Sequence, residues 1–84
     1  MKIGEWYVTR LSVEDLYFRP LQPQKKGGFV GELYVLNRVR PRAKIKRRQL
    51  RVDEYEAAHL SKPGWLPQHH WRWITASDLP FRAP

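Results

Sequence analysis

Eight cations and no acid occupy residues 38–51: Arg38, Arg40, Arg42, Lys44, Lys46, Arg47, Arg48 and Arg51. Side chains of this kind, spaced one to three residues apart, can hold anions; they cannot by themselves make or break bonds. Six of the eight are Arg, whose planar fork of N–H donors fits phosphate and stacks on bases better than an ammonium does. The 84-residue chain carries 16 Lys plus Arg against 8 Asp plus Glu, a net charge of +8. The remaining cations and acids balance, so the surplus is that of this one stretch. A solvated strand face usually mixes signs. An unmixed run is the electrostatic footprint of a polyanion: a nucleic acid, an acidic protein surface or an anionic membrane surface. Lys25 and Lys26 add to the same basic surface.

A second cluster gathers Trp65, Trp71 and Trp73 with His69, His70 and Arg72. Aromatics interleaved with cations can form a stacking platform for single-stranded bases. Trp also fills the core of a small domain, which is the expectation for Trp6 and for Trp71 and Trp73 on their shared strand face. Trp65, next to Pro63-Gly64, is the Trp expected at the surface. The histidines lack ligand spacing: neighbours such as His69 and His70 face opposite ways on a strand, His59 stands apart, and there is no Cys. No metal or other cofactor is expected. A histidine paired with Arg72 or Arg48 could serve phosphoester cleavage, and small basic ribonuclease toxins share this size and charge. No motif of theirs, no nucleophile motif and no phosphate loop is present, so the chain is expected not to be an enzyme. The acids Glu5, Glu14, Asp15, Glu32 and Asp78 are scattered and read as turn and edge polarity.

Short β-rich runs must position these residues. Ile3 to Leu11, rich in β-branched and aromatic residues, predicts a strand. Ser12 to Asp15 is a polar turn, and Leu16-Tyr17-Phe18 a second strand of a hairpin. Arg19 to Gly28, with Pro20, Pro23 and Gly27-Gly28, predicts a loop. Phe29 to Arg40 is the longest strand, with Leu33, Val35 and Val39 on one face and Tyr34, Leu36, Arg38 and Arg40 on the other. Pro41 ends or bends it. The apolar parity is odd at Ala43 and Ile45 but even at Leu50 and Val52, which predicts a bulge or turn within Lys46 to Gln49. Asp53 and Glu56 form a capping-box pattern for a short helix that Pro63-Gly64 stops. His70 to Thr75 predicts the last strand, and Ala76 to Leu79 a single turn.

Eighty-four residues allow one small domain, taken as 1–79, with 80–84 as a frayed C-terminal tail. The lack of Cys, of an N-terminal leader and of a long apolar run predicts a cytoplasmic protein without a membrane span. The fold class is mainly β, with α+β as the variant: a five-stranded antiparallel barrel or strongly bent sheet, with one short helix before the last strand. In outline it resembles an SH3-like barrel, on strand count and the terminal turn alone. Three readings of function follow. The first is a non-enzymatic nucleic-acid-binding module that contacts phosphates through the basic strand and bulge, using Arg38, Arg40, Arg42, Lys44, Lys46, Arg47, Arg48, Arg51, Lys25, Lys26 and Trp65. The second is a small phage- or plasmid-type inhibitor that docks the same face on an acidic host protein. The third is the ribonuclease-like toxin.

Overall fold

The fold is a computed structural model that describes residues 1–25, 27–40, 44–52 and 71–82, with the backbone alone at Leu50 and Val52. Five strands are described: β1 (Trp6–Arg10), β2 (Glu14–Pro23), β3 (Phe29–Asn37), β4 (Lys46–Val52) and β5 (Arg72–Ile74). They form one antiparallel sheet in the order β4-β3-β2-β1-β5. The sheet is not closed among the described residues, and the only helical element there is a 3-10 turn at Ala76–Asp78. The predicted helix around 53–60 lies outside the described residues.

β1 and β2 make the expected hairpin, closed where the Leu11 N–H donates to the Glu14 carbonyl at 2.7 Å. The polar turn is shorter than expected, because Glu14 and Asp15 already belong to β2, with Asp15 opposite Arg10. The loop predicted from Arg19 is largely strand: β2 runs through both prolines to Pro23, with a register shift between Pro20 and Gln22. In an antiparallel strand, the N–H and C=O of one residue point to the same side. The Pro20 carbonyl accepts from the Gly4 N–H at 2.8 Å, so its nitrogen faces the segment before β1 and costs no bond to β3. Opposite Pro20 stands Gly31, where a Cβ would lie 2.1 Å from the Arg19 carbonyl oxygen. The two strands can approach this closely only because Gly31 has no side chain.

The turn from β2 to β3 uses Gly27 and Gly28 at φ 91° and 81°, values that a side chain would oppose. β3 then alternates as expected, but stops at Asn37. The Asn37 Oδ1 accepts from the Val39 and Arg40 N–H groups at 2.9 and 3.0 Å, which turns the chain. Val39, expected on the apolar face, is therefore beyond the strand and exposed.

β4 pairs with β3 without a break from Lys46 opposite Val35 to Val52 opposite Phe29, so the bulge expected at Lys46 to Gln49 is absent. Both faces of the sheet are apolar, which removes the reason for it. One face gathers Tyr7, Phe18, Leu33, Val35 and Trp71; the other gathers Trp6, Tyr17, Tyr34 and Ile74, with Leu36 and Ile45 beside them. An apolar residue is admissible at either parity, so a change of phase demands no slip. Phe18 is fully buried, and its truncation to Ala would cost about 3–5 kcal/mol.

Phe81, in the expected tail, packs into the second face, 5.4 Å from Tyr17 and 4.8 Å from Tyr34 between ring centroids. An aromatic ring three residues past a capped turn has apolar area to bury and a place to bury it. The turn itself is capped at Thr75, whose N–H and Oγ1 both donate to Asp78.

Candidate functional site

The basic stretch does not form one continuous strand. Its first part is the bend after β3 and its last part is β4, with Arg42 among the residues not described. Arg38 points back at the β1–β2 hairpin. Its guanidinium donates to Asp15 Oδ1 and to the carbonyls of Glu14, Leu11 and Ser12, the last three at 3.1, 2.6 and 2.7 Å. Asp15, expected to be turn polarity, is buried and is shared with Arg10 Nε at 3.2 Å. A cation with four oxygen partners is a clamp on the hairpin, and it has little left to offer a ligand. Arg40, beside it, is exposed.

β4 is different. Lys46, Arg47, Arg48, Gln49 and Arg51 are all exposed, as is Lys44 just before the strand. β4 ends the sheet order, and no acid lies within it. At about 3.4 Å per residue, Lys46 to Arg51 spans roughly 17 Å. The pairings fix what lies at each end. Phe29 opposite Val52 puts exposed Lys25, in the β2–β3 turn, at the Arg51 end; Val35 opposite Lys46 puts the Arg38–Arg40 bend at the other. Alternation divides the cations, with Lys46 and Arg48 on one face of the strand and Arg47 and Arg51 on the other.

The second of these faces holds an acid. Glu32 on β3 accepts from Arg47 at 2.7 Å, from Arg19 at 3.2 Å and from the Tyr34 hydroxyl at 2.9 Å. Arg47 lies over the Tyr34 ring and Arg19 over the Trp6 ring, at 5.8 and 5.0 Å to the centroids. Burial opposes ionisation of Glu32, but the hydrogen bonds from Tyr34 and Arg47 and the charge of Arg19 outweigh it and hold its carboxyl below the ordinary value. Burial and the same Glu32 contact push the Tyr34 phenol up. Arg47 is thus half-committed, whereas Lys46, Arg48 and Arg51 have no ion pair among the described residues.

Of the residues expected at the site, Lys44, Lys46, Arg47, Arg48 and Arg51 come together, with Lys25 and Arg40 flanking them. Arg38 is withdrawn into the hairpin clamp. Lys26, Arg42 and Trp65 lie outside the described residues, as do His59, His69 and His70. Among the described residues no group of His, Asp and Glu could hold a metal, and no helix is long and apolar enough to cross a membrane.

The two tryptophans expected to share the core part company. Trp71 is 4% exposed against Phe18, but Trp73 is 57% exposed on β5. β5 has only three residues and lies at the end of the sheet opposite β4. An end strand has a neighbour on one side only, which alternation in the sequence cannot register. Trp73 is tethered by its indole N–H, which donates to Glu5 at 3.3 Å. Sequence reasoning weighed Trp73 and Arg72 as parts of a stacking platform but left both out of the expected binding residues; both are exposed. No protein-family model, curated protein or solved structure matches this chain.

Proposed function

We propose that the chain is a non-enzymatic nucleic-acid-binding module whose β4 strand runs along a phosphate backbone. The observation that carries this reading is the row of exposed cations Lys44, Lys46, Arg47, Arg48 and Arg51 on an end strand that contains no acid. Alternating side chains let a strand offer charge on both of its faces, so a flexible single strand can follow it. No aromatic residue lies within β4. Contacts to phosphate without contacts to bases give affinity with little sequence preference. A cytoplasmic location belongs to the same proposal. So does the SH3-like barrel, supported by the order β4-β3-β2-β1-β5, in which β4 and β5 would have to meet for closure.

The runner-up is a small inhibitor docked on an acidic protein. Exposed Trp73 favours it as an anchor, but the sheet order puts Trp73 at the far end from the basic row, so one compact interface would not use both.

The deciding measurement is fluorescence anisotropy of labelled single-stranded RNA, single-stranded DNA and duplex DNA across a salt series, with a Lys46→Ala/Arg47→Ala/Arg48→Ala variant alongside. Affinity should fall linearly in log salt, and the variant's slope on a single strand should be shallower by about 0.7 per lost phosphate contact. Because Glu32 holds Arg47, the loss should be nearer two contacts than three. Weak binding at physiological salt, equal for all three nucleic acids and unchanged in the variant, would remove the proposal.

A further inference from the structure

A groove of about 890 Å³ opens at the β1–β5 side of the sheet, away from β4. The register decides which side chains meet there. Arg72 pairs with Val8, Val8 with Tyr17, and Arg10 with Asp15. These five residues therefore share one face of the sheet, with Ile74 at the same parity as Arg72. Trp73, opposite Tyr7, belongs to the other face. Three neighbouring strands thus bring cations and a phenol around Val8: Arg72 from β5, Arg10 from β1 and Tyr17 from β2.

The donors of this group are free. Arg72 is exposed and has no ion pair among the described residues. The Arg10 side chain is 74% exposed and gives only its Nε, to Asp15. Its two terminal nitrogens have no hydrogen bond among the described residues. Tyr17 is 8% exposed, yet its hydroxyl has no hydrogen-bond partner there either. A buried hydroxyl is normally paired. Burial and the Asp15 carboxylate push the Tyr17 phenol up, while Arg10, Arg72 and Arg38 draw it down. The hydroxyl therefore lies in the field of the same guanidiniums.

Two acids share the groove, and both are occupied. Asp15 accepts from Arg10 and Arg38, and Asp78 accepts from the Thr75 N–H and hydroxyl. Arg38 behind Asp15 brings the count to three guanidiniums against two carboxylates, which favours an anion. A planar carboxylate is satisfied edge to edge by one guanidinium. Donors arriving from three strands suit a tetrahedral group, whose oxygens point in several directions. Val8 and Ile74 give the groove an apolar floor. An apolar floor with a few convergent polar groups is the make-up of a small-molecule site.

We propose that this groove binds a phosphate monoester, with the phosphate held by Arg72, Arg10 and the Tyr17 hydroxyl and the carbon body resting on Val8 and Ile74. The site is distinct from β4 and does not rest on the β4 reading.

Titration calorimetry of the full chain with phenyl phosphate tests it, with inorganic phosphate and benzoate alongside. Phenyl phosphate should bind saturably. Inorganic phosphate has no body for the floor and benzoate has no tetrahedral group, so each should bind about tenfold more weakly. Arg72→Ala should lose about tenfold and Tyr17→Phe about threefold. Near-ultraviolet circular dichroism and thermal melts show whether each variant is folded. Lys2→Ala removes an exposed cation that belongs neither to the groove nor to β4, and should bind as the parent does. Competition with single-stranded oligonucleotides finds the source of the phosphate. Displacement by a 5′-phosphorylated strand but not by its 5′-hydroxyl twin makes the ligand the end of a strand. Displacement by neither makes it a small organic phosphate, and the groove is the site in both cases. The proposal is overturned by no binding up to millimolar phenyl phosphate, or by inorganic phosphate or benzoate binding as tightly. It is equally overturned by equal displacement with both oligonucleotides, by folded Arg72→Ala and Tyr17→Phe that bind as the parent does, or by a loss in Lys2→Ala that matches Arg72→Ala.

Discussion

Arg38 and Arg48 come from the same acid-free run and have opposite fates. Arg38 meets Asp15 and three hairpin carbonyls; Arg48, on an end strand, has no ion pair among the described residues. The difference lies in what the backbone turns toward each residue. The Asn37 turn swings Arg38 over the open end of the hairpin, where the Leu11 and Ser12 carbonyls accept from its guanidinium. The β4 ladder holds Arg48 against Leu33, with nothing acidic across from it. Charge counted in a sequence is therefore not the charge offered to a partner. One of the cations that define the footprint is a fastener, and another is half-held by Glu32.

The largest way to break this comparison is Arg38→Ala. It leaves buried Asp15 with Arg10 alone and takes the guanidinium donors from the Leu11 and Ser12 carbonyls. A fully buried pair would cost 3–5 kcal/mol on losing one partner; Arg38 is partly exposed, so a loss of about 2 kcal/mol is expected. Urea unfolding should show it as a lower midpoint at constant slope. Binding of single-stranded RNA by the folded fraction should barely change. If affinity falls without loss of stability, Arg38 belongs with the ligand contacts.

Glu32→Gln comes next and sharpens the comparison. It weakens the tether on Arg47 and Arg19 at a stability cost of about 1 kcal/mol. It should tighten RNA binding and steepen the salt dependence by about one contact, or 0.7 in slope. No change would mean that Arg47 already binds from its tethered position.

The same carboxylate predicts a pH effect. Its folded-state pKa lies below the ordinary value of 4.5. Its contribution is thus complete above that value and is lost as pH falls through the lower, folded-state value. The parent should lose more stability than Glu32→Gln below pH 4.5, read as a convergence of their melting temperatures.

Arg48→Ala is the smallest effect on the fold. Stability should stay within about 0.5 kcal/mol of the parent. Only the salt slope of binding should move, by about 0.7 for a single strand.

Period-two alternation in β3 sorted Leu33 and Val35 from Tyr34 and Leu36 correctly. Pairing of the first two runs and the single turn expected at Ala76 to Leu79 were also legible, because each rests on local chemistry. What could not be read is which strands end the sheet, and most corrections follow from that. Trp71 and Trp73 look alike in sequence and differ in exposure because β5 has one neighbour among the described strands. Pro20 looks like a breaker and sits in a strand because its nitrogen faces the segment before β1. The bulge inferred in β4 assumed a sheet with one apolar face. At the site, the acid-free run marked the row of cations that the structure leaves exposed on β4, but the partners of Arg38 and Arg47 are 23 and 15 residues away in sequence and no local pattern announces them.

A sheet that is apolar on both faces has a difficulty as it folds. Polarity normally penalises a slipped pairing, since a shift by one residue drives apolar groups into water. Here a slip of β3 along β2 would exchange one apolar set for another, and misaligned hairpins would survive long enough to trap the chain. Size has to discriminate where polarity does not. Val30 or Glu32 under the Arg19 carbonyl would collide with it, and only Gly31 passes. The alignment of the two longest strands thus hangs on an absent methyl group, which works as a notch that one position alone can fit.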